Sequence, residues 1–407
     1  MPAPFTAVKI IDDIYWVGAI DTNVREFHGY QTGRGTTYNS YLVLGEKIAL
    51  IDTVKHGFQD ELIGRISSVI EPSKIDYIIC NHAEMDHSGC LTEVIKTVHP
   101  EKVFASKMGI ATLKAHFHDE LSLWAVEDGE ELLLSGDGAP SGPLSLNFIE
   151  TRFLHWPDSM FSYLPQRKFL FSQDAFGMHL AGTERFDDQT PAWLLEHEAA
   201  KYFANILLPY SNLVQKLLEK VDNSEIELDI VAPSHGPIWR QGYNGIKNLY
   251  LRWSNQELSH KAVVLYDSMW GSTDMMARVI CDGLSSVGTV VKQMCLSACH
   301  RSDVAAEMMD AGALIVGSPT LNNQLYPTIA DCMVYLKGLK PRPRAGGTFG
   351  SFGWSGESLK HLDDTMVALG FENLGQVKAK YVPCTKTLKE CWDLGRKIGM
   401  HVAETLQ

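Results

Sequence analysis

The sequence predicts two α/β domains in tandem, the second built on a doubly wound parallel sheet. Three observations lead there. The chain has 407 residues, 45% of them hydrophobic, enough for more than one buried core. Apolar runs of strand length recur throughout, separated by polar and Gly-containing stretches. Beyond about Lys261 these runs alternate with amphipathic segments, the pattern of parallel strands joined by crossover helices.

In chain order, Tyr41–Leu44 and Ile48–Ile51 flank Gly45-Glu46-Lys47 and predict a hairpin. Leu62, Ile63, Ile66, Val69 and Ile70 follow at helical spacing. Ile75–Cys80 predicts a buried strand, and Leu144–Ile149, Lys168–Phe171 and Leu228–Ala232 are further strand candidates. Residues 240–260 hold Leu249, Tyr250 and Trp253 among polar residues, which predicts a packed helical connector and a domain boundary at 255/256. The second half then reads as a strand at Ala262–Tyr266, a helix over 273–287, a strand at Ala313–Val316 and a helix near 327–337.

Charge narrows the function. From Ser259 onward there are 15 basic and 14 acidic side chains, whereas the first 258 residues carry 21 basic and 35 acidic. An N-terminal half that acidic repels nucleic acid, whose binding requires a positive field. A solvated acidic surface accounts for most of the excess, and bound cations would neutralise part of it. No apolar run is long enough to span a bilayer, and the N-terminus lacks a basic segment followed by an apolar core, so the expected compartment is the cytoplasm. None of the eight cysteines stands in a CxxC pair, which argues against a zinc ribbon or an iron–sulfur module and for mostly buried thiols.

The densest chemistry follows the strand at Ile75–Cys80. Asn81-His82-Ala83-Glu84-Met85-Asp86-His87 places four possible metal ligands within six residues. His155, Asp174 and His235 each stand at or just past the end of an apolar strand candidate, where a rigid strand fixes a ligand's position. The remaining histidines lack such a setting, with His28 and His179 intermediate. This spacing over residues 5–250 resembles the metallo-β-lactamase fold, an αββα sandwich with a dinuclear site at one edge. The hydrolytic zinc members read HxHxDH, whereas this chain reads HxExDH. A carboxylate in place of an imidazole makes the site harder and more anionic, favouring iron or manganese over zinc. The resemblance implies one metal on His82, Glu84 and His155, a second on Asp86 and His235, and Asp174 as the bridge. His87 completes the motif, and whether it stands on a metal or beside the pair is left open. Asp52 resembles a structural acid of this fold.

Three loops carry the second chemistry. Asp267-Ser268-Met269-Trp270-Gly271-Ser272-Thr273 lies between a strand and a helix, where backbone N–H groups and hydroxyls suit a monoester phosphate. It contains neither a Walker lysine nor GxGxxG, and the same residues would serve as an ordinary helix cap. Ser318, Pro319, Thr320, Leu321, Asn322 and Asn323 follow the next strand, and Ser351, Phe352, Gly353, Trp354, Ser355 and Gly356 follow a third. All would lie at carboxyl ends of parallel strands, the edge at which such sheets bind ligands. Together over 261–405 they resemble flavodoxin, which implies FMN, with Trp270 and Trp354 either near the flavin or in ordinary packing.

A metallo-β-lactamase-like domain with HxExDH joined to a flavodoxin-like domain resembles the flavodiiron proteins, in their simplest class without a fused rubredoxin. That resemblance implies FMN and two non-haem irons, reduction of dioxygen to water or of nitric oxide to nitrous oxide, and a rubredoxin, another flavoprotein or a reduced deazaflavin as electron donor. It also implies a head-to-tail homodimer or a dimer of dimers, and places His28 and Tyr202 near the substrate as hydrogen-bond or proton donors. A zinc hydrolase carrying a flavodoxin domain, and an electron-transfer or redox-sensing module without turnover, are the competing readings.

Overall fold

The computed structural model describes residues 5–118, 121–139, 142–224 and 226–406. The chain divides into two compact units. The first comprises residues up to His28, Thr32–Tyr202 and Asn212–Leu251; the second comprises Gly29–Gln31, Phe203–Ser211 and everything from Arg252 on.

The first unit contains a seven-stranded and a five-stranded sheet. The seven-stranded sheet runs in the order Val8–Ile11, Ile14–Trp16, Tyr41–Val43, Ala49–Ile51, Tyr77–Cys80, Lys102–Ser106, Leu123–Val126. The hairpin expected from sequence forms, pairing Tyr41 with Ile51 and Val43 with Ala49. From Ala49–Ile51 onward the strands are parallel, so their carboxyl ends share one edge. The second sheet runs Glu131–Ser135, Leu144–Glu150, Met160–Leu164, Phe169–Gln173, Ile230–Pro233, with only the last pair parallel.

One core joins the two sheets: Ile14, Trp16, Ile51 and Ile79 pack with Leu146, Phe148, Phe169 and Phe171. Burying each such side chain contributes roughly 1.5–3 kcal/mol, so this interface is a large part of the unit's stability. The opposite face of the seven-stranded sheet is covered by the helices Gln59–Ser67 and Leu91–Val98 through Leu62, Ile66, Leu91 and Val94. The expected helical run to Ile70 stops at Ser67, where Ser68 caps the last turn.

The second unit holds five parallel strands in the order Val290–Cys295, Ser259–Tyr266, Ala311–Gly317, Ala345–Phe352, Glu372–Lys380. This is the doubly wound arrangement with crossover helices that the alternating pattern predicts. A helix forms at Tyr243–Ser254, within the stretch read as a connector. Four cysteines are buried, whereas Cys384 is exposed, because it stands just ahead of the helix Thr385–Thr405 and not inside it.

Candidate metal centre and flavin site

Two parallel strand pairs, one from each sheet of the first unit, aim their carboxyl ends at one place. Tyr77–Cys80 delivers the loop holding His82 and Glu84, then a single helical turn, Met85–Ser88, carrying Asp86 and His87. Phe169–Gln173 and Ile230–Pro233 deliver Asp174 and His235. The edges are tied together: Met160 N–H donates to the Asn81 carbonyl (3.0 Å), and Ser162 Oγ to Asn81 Oδ1 (2.6 Å). Asp52 accepts from the Asn81 N–H at 2.7 Å, which anchors the start of the ligand loop.

The result is two adjoining clusters, His82–Glu84–His155–Asp174 and Asp86–His87–His235, each with its donor atoms within 4.8 Å of one another. Asp174 spans them. Its Oδ2 lies 3.4 Å from His82 Nε2 and 3.1 Å from His155 Nε2; its Oδ1 lies 3.2 Å from His87 Nε2 and 3.4 Å from His235 Nε2. His235 Nε2 also meets Asp86 Oδ2 at 3.1 Å. His87 Nε2 points into the second cluster, 3.4 Å from Asp86 Oδ1. The one-turn helix Met85–Ser88 carries both Asp86 and His87, and both are buried.

Electrostatics say what the cluster can hold. Three buried carboxylates and four imidazoles converge, yet His87 Nε2, Asp86 Oδ1 and Asp174 Oδ1 make no hydrogen bond. Burial would raise Glu84 and Asp174, but facing histidines hold both carboxyls well below the usual range: His155, His28 and His82 for Glu84, chiefly His87 and His155 for Asp174. Burial likewise opposes charge on His82, and Asp158 and Glu84 nevertheless lift it well above its ordinary value. Ionised carboxylates and orphaned donor atoms at one buried point fit a pair of cations.

Some contributors had no sequence signal. Thr37 accepts from His235 Nδ1 through its carbonyl at 2.6 Å, and Thr36 Oγ1 lies 2.9 Å from His179 Nδ1. Gly236, with φ +77°, lets the chain turn after His235; a Cβ there would meet Met178 at 2.7 Å. The two expected donors fall on the same centre. His28 Nε2 contacts Glu84 Oε1, and the buried Tyr202 ring packs 5.0 Å from His179 and 6.2 Å from His235. Burial, and then Asp174, push the Tyr202 hydroxyl far above its ordinary value, so it stays protonated.

In the second unit the loop after Ser259–Tyr266 leads into the helix Ser272–Ser285 through Gly271, whose φ of +84° opens the turn. Thr273 Oγ1 is 2.9 Å from Ser351 Oγ, joining the first and third loops. Gly350 lets the neighbouring strand ends close up, since a Cβ would lie 2.2 Å from the Ser318 carbonyl oxygen. These loops surround a cavity of about 500 Å³ lined by Met269, Ser272, Thr320, Asn322, Phe352 and Ser355, among others. Trp270 and Trp354, 92% and 86% exposed, stand on its rim and are not packing residues. Ser268, Gly271, Thr273, Ser318 and Gly356 are not in its wall; Ser318 Oγ is engaged with the Pro319 carbonyl and the Tyr326 N–H. Tyr381 and Val382, unforeseen from sequence, line the cavity because they follow the fifth parallel strand. Their signal was positional, the carboxyl end of another strand at the same edge.

Comparison with known proteins gives this pairing of sites a family. Residues 36–236 match the model described as ODP family beta lactamase, and residues 264–395 match Flavodoxin. The chain is 42% identical to the nitric oxide reductase of Moorella thermoacetica over 98% of its own length and 99% of that protein. It belongs to the flavodiiron proteins. The solved rubredoxin oxygen:oxidoreductase from Desulfovibrio gigas superposes with a TM-score of 0.94 at 42% identity, covering 98% of this chain and 100% of that one. The flavodiiron protein from Giardia intestinalis superposes with a TM-score of 0.93 at 31% identity, covering 100% and 99%. The lactamase-like and flavodoxin-like halves of this flavodiiron protein are thus the two folds that its sequence predicts. Among the described residues, no helix is long and apolar enough to cross a membrane.

Proposed function

We propose that this chain reduces dioxygen to water, nitric oxide to nitrous oxide, or both, at a pair of non-haem irons recharged through FMN. The observation that carries the reading is Asp174, whose two oxygens divide between the two clusters as a bridging carboxylate would. His82, Glu84 and His155 would hold one iron, Asp86 and His235 the other, with His87 available to the second. Three carboxylates in the donor set favour iron over zinc, which argues against the hydrolase reading. When bound, two ferrous ions supply one electron each and reduced FMN two, enough for dioxygen to two waters and more than enough to couple two nitric oxide molecules.

The protein's own groups handle position and protons. His28 is half-exposed and reaches Glu84 from the solvent side, so its imidazole can pass protons inward. Tyr202 keeps a hydroxyl proton inside the buried shell and offers it as a hydrogen bond to substrate. Residues 1–255 and 256–407 act as the metal and flavin halves. The working form is a cytoplasmic head-to-tail homodimer or dimer of dimers, supplied by a rubredoxin or a reduced deazaflavin. The exposed Trp270 and Trp354 are apolar surface that such an interface would cover.

Anaerobic stopped-flow on the fully reduced, metal-analysed protein tests the reading. About two irons and one FMN per chain with fast reoxidation by either gas is expected; zinc, or slow reoxidation by both gases, would overturn it. In the flavin half, Ser272→Ala removes the hydroxyl that the helix Ser272–Ser285 presents to the cavity wall. Losing a hydrogen bond to a charged group costs about 1.5–3 kcal/mol. FMN affinity, read by fluorescence titration of flavin-free protein, should therefore fall about 10- to 100-fold while iron content stays unchanged. Unaltered affinity would remove that loop from the phosphate site.

A further inference from the structure

We propose that Asp158 is the positioning residue for one half of the metal centre: it fixes the orientation of His82 and makes the His82–Glu84–His155 position the tighter of the two. The inference rests on the dinuclear reading above.

His82 is wholly buried, and its two ring nitrogens have different neighbours. Nε2 faces the cluster, 3.0 Å from Glu84 Oε2 and 3.4 Å from Asp174 Oδ2. Nδ1 faces away and lies 3.2 Å from Asp158 Oδ2. A carboxylate only accepts, so the ring hydrogen sits on Nδ1 and the lone pair of Nε2 is left for a cation.

Asp158 is itself held. The Ala83 N–H donates to the same Oδ2 at 2.6 Å, and Ser106 Oγ donates to the Asp158 carbonyl at 2.8 Å. Ser106 Oγ in turn accepts from the Gly109 N–H at 3.0 Å, at the start of the helix Lys107–Phe117. Trp156 closes the other side, its ring edge-on to His82 at 5.2 Å. The imidazole therefore cannot swing away without stranding a buried carboxylate that has no other cationic partner among the described residues.

The second cluster is built differently. His235 Nδ1 is met by the Thr37 backbone carbonyl, a neutral acceptor, and His87 Nδ1 makes no hydrogen bond. One position thus has an anionic carboxylate behind its imidazole and the other does not. Full charge behind a ligating imidazole increases its donor strength, and loss of such a partner typically weakens metal binding about 10- to 100-fold.

The test uses the full chain with FMN bound, stripped of metal and titrated anaerobically with cobalt(II) against a competing chelator, with d–d absorption as the signal. The unaltered chain should take up two cobalt ions in two resolved steps. In Asp158→Asn the amide oxygen can still accept from both Ala83 and His82, so the loop stays anchored while the charge is lost. The tighter step should weaken about 10- to 100-fold, with the weaker step and the FMN content unchanged. Asp158→Ala should weaken the same step further, with far-UV circular dichroism reporting whether it folds. If Asp158→Asn binds cobalt like the unaltered chain, Asp158 is only a structural anchor and the proposal fails. It fails equally if both steps weaken together. An unaltered chain that binds no cobalt overturns the dinuclear reading as well.

Discussion

Asp174→Ala should empty both metal positions at once while leaving one FMN per chain. The reason is the division of its carboxylate, Oδ2 toward His82 and His155, Oδ1 toward His87 and His235. Among the described residues no other carboxylate reaches both clusters: Glu84 pairs with His82 and His155, and Asp86 with His87 and His235. Removing a partner that only touches a ligand costs about 10- to 100-fold in metal affinity. Removing the shared ligand itself should exceed about 100-fold at each position by the same scale. Metal analysis after gel filtration should fall from about two irons per chain to near none, and gas-dependent reoxidation should disappear with it. Asp86→Ala is the contrast, expected to empty only the second position. Near-normal iron and turnover in Asp174→Ala would falsify the bridging assignment and, with it, the observation on which the proposed function rests.

Much of the fold was legible because its determinants are local. The hairpin at Tyr41–Ile51, the strand at Tyr77–Cys80 and the alternating elements after Lys261 are set by runs of apolar residues whose period can be read directly. The residues brought to the metal centre were also legible, since each follows a strand and strand ends fix ligands. What escaped was long-range. Asp158 meets His82 across 76 residues, and Thr37 meets His235 across 198. No periodicity marks such pairs, because each is an ordinary loop residue until the sheets pack. The aim of His87 was hidden for a related reason: neighbours on a helix diverge by about 100°, so only the packed strand ends show that both Asp86 and His87 reach the centre. Tyr381 and Val382 were missed because the strand Glu372–Lys380 has a polar, weakly alternating sequence, so its end did not register as a loop of the sheet.

Stripping the metals should destabilise the first unit more at pH 9 than at pH 6.5. Without cations, protons balance the buried carboxylates. Burial opposes charge on His87, but Asp86 and Asp174 outweigh it and lift the imidazole to about 9. A histidine raised in this way contributes stability in full below its unfolded value, near 6.5, and loses it as pH climbs through the folded value. The metal-free chain therefore weakens between pH 6.5 and 9. The loaded chain does not, because its ligands are already neutral imidazoles and rising pH only removes competing protons. His87 alone accounts for about 3 kcal/mol, at roughly 1.4 kcal/mol for each tenfold gain in proton affinity on folding. For a domain of this size that is a widening of roughly 6–12 °C in the Tm gap between loaded and stripped protein. Thermal scans of both forms across this range measure it, and metal titrations near pH 7 in buffers of different ionisation enthalpy should show protons released on binding. A gap that stays constant to pH 9, with no proton release, would mean that the metal-free centre holds neutral imidazoles and that something other than protons balances Glu84, Asp86 and Asp174.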